Sequence, residues 1–115
     1  MKAKRNPEGA GALKGRTLRT AELVTYQDGA IVSREVVSGK GGTVTAFAFD
    51  RGQQLSEHTA PFDALVIGLD GKAEIRIAGT THGVSGGEAI IMPAGLPHAL
   101  KAVTRFKMLL VMIKK

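Results

Sequence analysis

The 115-residue chain contains no cysteine and no tryptophan. Without cysteine there is no disulfide framework, no thiolate zinc site, no iron–sulfur cluster and no cysteine nucleophile, so several enzyme classes are excluded by inventory. Four Phe and one Tyr are the only aromatics besides histidine, too few for the stacking surface that accompanies a basic groove in single-strand nucleic-acid binders. Long apolar runs are also missing. The longest, Met108 to Ile113, has six residues, whereas a membrane-spanning helix takes roughly 18. The charged N-terminal stretch carries no apolar segment like that of a secretory signal, which predicts a cytoplasmic location. A chain of this length is expected to build one domain around one core.

The formal charge is +6 and the isoelectric point about 10.0, a balance that ordinarily raises nucleic acid or an anionic surface as a partner. Its distribution argues otherwise. Residues 1–20 hold six basic side chains (Lys2, Lys4, Arg5, Lys14, Arg16, Arg19) against Glu8 alone, Lys114 and Lys115 close the chain, and residues 21–113 carry eight basic against nine acidic groups. The basicity therefore belongs to the ends, and nucleic acid is not the expected partner. Residues 1–16 mix Gly, Ala, Pro and cations without a period, a composition that predicts a flexible basic arm. Docking of such an arm on an acidic partner would collapse with salt. The domain proper is expected over 17–115.

Past Thr17, dispersed glycines separate short apolar runs, the signature of β-structure. Leu23–Val24–Thr25–Tyr26 and Ala30–Ile31–Val32 flank Asp28–Gly29, read as a hairpin, and Thr43 to Phe49 alternates before a turn at Asp50–Arg51–Gly52. Ala64 to Leu69 and Lys72 to Ala78 flank Asp70–Gly71, the strongest hairpin signal in the chain. Further strands are expected at Thr80–Val84 and Glu88–Met92. His98 to Lys115 has neither Gly nor Pro, but β-branched Val111 and Ile113 favour two strands with a bend near Thr104–Arg105. Nine or ten short strands without a crossover helix imply a sandwich or barrel. The edge of a strand at 23–26 or 31–37 would be left unpaired, from which a homodimer is expected.

The three histidines are the candidate transition-metal ligands. Two sit in spaced frames: Gly52-x5-His58-x-Ala60-x3-Ala64-x6-Gly71, and Gly87-x5-Pro93-Ala94-Gly95-x2-His98-x3-Ala102. These frames resemble the two motifs of the cupin superfamily, Gly-x5-His-x-His-x3/4-Glu-x6-Gly and Gly-x5-Pro-x-Gly-x2-His-x3-Asn, and the resemblance extends over roughly residues 20 to 113. It implies an all-β, single-domain cupin jelly-roll barrel. It also implies that His58 and His98 converge inside it, at the position where cupins hold a divalent metal such as iron, manganese, nickel or zinc. Ala60, Ala64 and Ala102 stand where the second His, the Glu and the Asn of the motifs would be, so two of the four usual ligands remain, fewer than the three protein ligands of typical catalytic zinc sites.

Among neighbouring donors, Glu57 and Asp63 are out of phase with His58 on a regular strand, and Gln54 is in phase. His82 belongs to neither motif and reads as a surface or edge-strand residue. Met92, Met108 and Met112 read as core filler. The glycines form no phosphate-binding loop, since no helix follows them, and Ser56 near His58 makes no triad. The function expected is binding of a small organic molecule in an interior lined by His58, Ala60, Val66, Met92, His98 and Leu100, without a complete metal site. The alternative is a metal-dependent oxygenase or isomerase with His58 and His98 as ligands.

Overall fold

The computed structural model describes residues 10–114. Nine strands follow one another: β1 (Ile31–Gly39), β2 (Gly42–Phe49), β3 (Gln54–His58), β4 (Asp63–Asp70), β5 (Lys72–Ile77), β6 (Thr80–Ser85), β7 (Ala89–Met92), β8 (His98–Ala102) and β9 (Phe106–Ile113). They form two antiparallel sheets, one of order β1-β2-β9-β4-β7 and one of order β3-β8-β5-β6. The expected bend near Thr104–Arg105 separates β8 from β9, which lie in different sheets. No pairing of described strands joins the two sheets into a continuous ring, so the jelly roll is a sandwich rather than a closed barrel. No helix among the described residues is long and apolar enough to cross a membrane.

Alternation along the strands decides what each face buries. On β2, Phe47 and Phe49 face the opposite sheet, and Phe49 joins Ile31, Val66, Ile75, Leu100, Phe106 and Met108 in the core between the sheets. Ala46 and Ala48 point the other way, and both are fully buried in a second cluster with Leu13, Leu23, Val24 and Val32. The five-stranded sheet is thus covered on both faces near β1 and β2.

That outer cover corrects two readings of the N-terminal part. Leu23–Tyr26 is not a strand, and Asp28–Gly29 is a turn leading into β1 rather than a hairpin. The segment lies across the sheet instead of pairing with it, and side-chain hydrogen bonds tie it and the turn before it in place. Arg34 donates to the Leu23 carbonyl (3.1 Å), Lys107 to the Ala21 carbonyl (2.6 Å), and the Tyr26 hydroxyl to Asp70 (2.5 Å). The Tyr26 ring also lies against the cationic groups of Arg105 and Lys107, 5.2 and 4.8 Å from its centroid, an arrangement favoured by the ring quadrupole. Burial and the hydrogen bond to Asp70 both raise the Tyr26 pKa. Of the stretch expected as a flexible arm, residues 1–9 lie outside the described residues. Residues Ala10–Leu13 form a 3-10 turn and Leu13 is buried under the sheet.

A charged knot closes the same end. Asp50 accepts the backbone N–H of Gly29 (2.6 Å) and of Arg51 (2.9 Å) and the Arg105 guanidinium (2.9 Å). These hydrogen bonds, the one from Gly29 foremost, hold its pKa at about 2 against an ordinary 3.8. A carboxylate with a depressed folded-state pKa contributes stability that is present above its unfolded value and lost as pH falls through the folded one. Asp50→Asn is therefore expected to lower Tm at pH 7, with the gap to wild type closing between pH 4 and about 2. Thermal unfolding across that range checks it, and a gap unchanged at pH 2 contradicts it.

Candidate functional site

His58 ends β3 and His98 begins β8, and the two strands pair with His58 directly opposite His98. Residues forty positions apart are thereby placed side by side at one end of the four-stranded sheet. The loop after β7 is tied to the loop after β3 and to the start of β4: Gly95 N–H donates to the Ala60 carbonyl (2.8 Å) and Ala94 N–H to Asp63 Oδ1 (2.8 Å). Gly95 turns that loop with φ +79°, a conformation glycine adopts without steric cost.

The rings meet edge to face, centroids 4.4 Å apart and planes at 71°, with the two Nε2 atoms 3.2 Å apart. Each Nδ1 faces a backbone carbonyl oxygen, that of Ser56 at 2.8 Å for His58 and that of Leu96 at 3.1 Å for His98. A carbonyl oxygen only accepts, so each Nδ1 carries the proton and, in the neutral rings, each Nε2 is a bare acceptor. Two lone pairs therefore face each other and call for a shared proton or another electrophile. His98 is 6% exposed, and burial, followed by the proximity of His58, pushes its pKa below the ordinary 6.5 despite the opposing contact with Leu96. Burial thus favours the neutral ring, with its lone pair free.

Beneath the pair lies a cavity of about 70 Å³, lined by His58 and His98 and otherwise by Leu55, Ala60, Ala64, Met92, Ala99, Leu100, Met108, Leu110 and Met112. Five of the six lining residues expected from the sequence are there; Val66 is not, being fully buried one pleat deeper in the core. Leu55 was out of phase with His58 in the sequence. A register shift between Leu55 and His58 brings it to the same face, while Gln54 pairs with exposed Lys101 instead. Asp63 is occupied with Ala94 and does not complete the site. Met108 and Met112, read as filler, line the cavity because β9 runs next to β4 opposite the histidines, a neighbour relation that β9's own alternation does not reveal. His82 is exposed on the edge strand β6.

No group of three or more His, Asp or Glu side chains that could hold a metal occurs among the described residues. Ala60 and Ala64 offer methyl groups to the cavity, and Ala102 is packed in the core opposite Ala73. The donors present do not fit the four-ligand divalent site that the cupin motifs imply.

With two sheets in jelly-roll arrangement and both motif histidines converging at one end, the fold and site define a cupin. The family model described as "Cupin domain" matches residues 46–114, and the chain belongs to this family. Among solved structures it is similar to a conserved protein of unknown function from Streptococcus pyogenes, with 40% identity over 88% of this chain and 89% of that one and a TM-score of 0.83. It is also similar to a cupin 2 conserved barrel domain protein from Leptotrichia buccalis, with 41% identity over 82% of this chain and a TM-score of 0.79, of which it spans about half (46%). A cupin superfamily protein from Desulfitobacterium hafniense, 24% identical over 89% of this chain and 94% of that one, shares the fold at a TM-score of 0.83. No curated protein matches the chain.

Proposed function

We propose that this cupin binds a small, mainly apolar molecule that presents one acidic O–H or N–H group to the histidine pair. The observation that carries the reading is the pair of bare Nε2 atoms 3.2 Å apart over an otherwise apolar cavity. A weakly acidic donor placed there satisfies lone pairs that have no other partner, and the charge it develops is shared by two imidazoles instead of being buried alone. Alanines at 60 and 64 leave the space that bulkier side chains would fill. At about 70 Å³ the cavity has room for roughly five water-sized groups, which selects short carboxylic acids, enols or phenols over sugars or nucleotides.

Thermal unfolding against a panel of such acids tests this. A ligand at about 100 times its Kd adds about 2.7 kcal/mol, a rise of several degrees in Tm for a domain of this size. The shift is expected to vanish in the His58→Ala/His98→Ala variant and in Ala64→Leu, which fills the cavity. Stabilisation that survives both changes places the ligand elsewhere and ends the reading. We also infer that two copies associate through β1, an edge strand with β2 as its sole partner among the described residues and with Val37 exposed.

A further inference from the structure

We propose that the cavity also holds one soft monovalent cation, Cu(I), with Nε2 of His58 and of His98 as nitrogen ligands and the thioethers of Met92 and Met112 as sulfur ligands. Cu(I) would share its cavity with the organic molecule proposed above, so the site rests on that reading while the ligand does not. Three features of the cavity point to this ion.

The first is its donor inventory. Three of the four methionines of the chain, Met92, Met108 and Met112, line this one cavity together with both motif histidines. Their placement follows from register. Ala64 on β4 lies opposite Met92 of β7 on one side and Met112 of β9 on the other, and directly paired residues project to the same face of a sheet. Two thioethers thus flank the small Ala64 side chain, on the sheet facing the one that carries the imidazoles. Thioether with imidazole is a donor set that suits Cu(I), and it lacks the oxygen ligands that hard divalent ions prefer.

The second is charge. No Asp or Glu lines the cavity, and Asp63 is hydrogen-bonded to the Ala94 amide. All available donors are neutral. The Born cost of bringing an ion into an apolar site grows with the square of its charge, so a divalent ion without a carboxylate is penalised about four times as heavily as a monovalent one. The alanines that disqualify the site for iron, manganese, nickel or zinc leave this objection much weaker for Cu(I).

The third is preorganisation. Both Nδ1 atoms are tied to carbonyl oxygens, which leaves the two Nε2 atoms, 3.2 Å apart, as the nitrogens free to ligate. An ion bound to both at about 2 Å subtends an angle of about 100° across the observed 3.2 Å separation, close to a tetrahedral arrangement and open to further ligands from the methionine side. His58 is exposed and gives the ion a route in. Binding donates four lone pairs, releases no proton from the neutral rings and changes no oxidation state.

Anaerobic titration of the purified full chain against the Cu(I)–bicinchoninate complex tests the proposal. Ag(I) provides a redox-inert probe for methyl NMR. One equivalent of Cu(I) is expected to leave the chelator, and Ag(I) is expected to shift the ε-methyl resonances of Met92 and Met112. Met92→Leu/Met112→Leu conserves side-chain volume and should weaken Cu(I) at least tenfold. His58→Ala/His98→Ala should abolish Cu(I) binding. Unmoved methyl resonances, Cu(I) affinity unchanged in the leucine variant or retained in the alanine variant, or Zn(II) bound more tightly than Cu(I) each overturn it. In the wild-type chain, failure to bind Cu(I) with the acid-induced shift present defeats the metal alone, and Cu(I) binding without that shift defeats the organic ligand alone.

Discussion

Phe106→Ala should lower the unfolding free energy by about 3–5 kcal/mol, the range for removing a fully buried aromatic ring. Phe106 is completely inaccessible and begins β9, directly opposite Phe49 on β2, which is equally buried. Their rings lie 6.1 Å apart and tilted by 38°, and Phe47 extends the row with its centroid 5.8 Å from that of Phe49. Truncation removes the transfer free energy of the ring and leaves a hole that the surrounding sheets close only in part. The aromatic contact with Phe49, worth about 0.5–1.5 kcal/mol beyond area alone, goes with it. Such a loss is a large share of the 5–15 kcal/mol by which domains are stable. Urea unfolding measures it, with Ile91→Ala, 60% exposed on the edge strand β7, as a control expected within about 0.5 kcal/mol of wild type. A cost below about 1 kcal/mol at Phe106 would mean that the two sheets do not pack on this row.

Gly71→Ala is expected to cost at least about 2–3 kcal/mol, although the position is a turn between strands. Its φ is +77°, and a Cβ there would lie 1.7 Å from the carbonyl oxygen of Arg105 and 2.8 Å from the carbon behind it. Both are backbone atoms, so no side-chain rotation relieves the overlap. Gly79→Ala separates the two contributions: φ is +86° there, but nothing lies within 4 Å of the added carbon, leaving only the left-handed strain of about 1–2 kcal/mol. Equal losses at the two positions would show that the close approach of residue 71 to the β8–β9 loop is not what demands glycine.

The reason for that approach bears on how the chain is read. Asp70–Gly71 has the composition of a tight hairpin turn, and positive φ at Gly71 agrees with it. Yet β4 pairs with β7 and β9, whereas β5 pairs with β6 and β8. The dipeptide is a corner at which the chain leaves one sheet for the other. Local turn chemistry is the same in both cases; what differs is the partner available to each strand, which lies elsewhere in the sequence. The same limit explains Leu23–Tyr26, whose apolar content suits a strand but which is tied across the sheet by Arg34 on the Leu23 carbonyl and by the Tyr26 hydroxyl on Asp70.

The site divides along the same line. Spacing around His58 and His98 was legible because each motif is a local turn with a fixed number of residues between glycine and histidine. Five of six expected lining residues, His58, Ala60, Met92, His98 and Leu100, followed from those frames and from period-two alternation. Leu55 was hidden by a bulge, and Met108, Leu110 and Met112 by the pairing of β9 with β4, a strand distant in sequence.

From its residues alone this chain declared its strands, its two-motif cupin framework and the loss of the usual third and fourth metal ligands, because alternation, turn residues and motif spacing are properties of neighbours along the backbone. Tertiary structure decided that Asp70–Gly71 joins two sheets, that residues 10–26 cover one of them, and that two imidazoles with Nε2 atoms 3.2 Å apart share a cavity with three thioethers. Those arrangements depend on which strands share hydrogen bonds, a choice made by the burial of whole faces at once and encoded in no single segment.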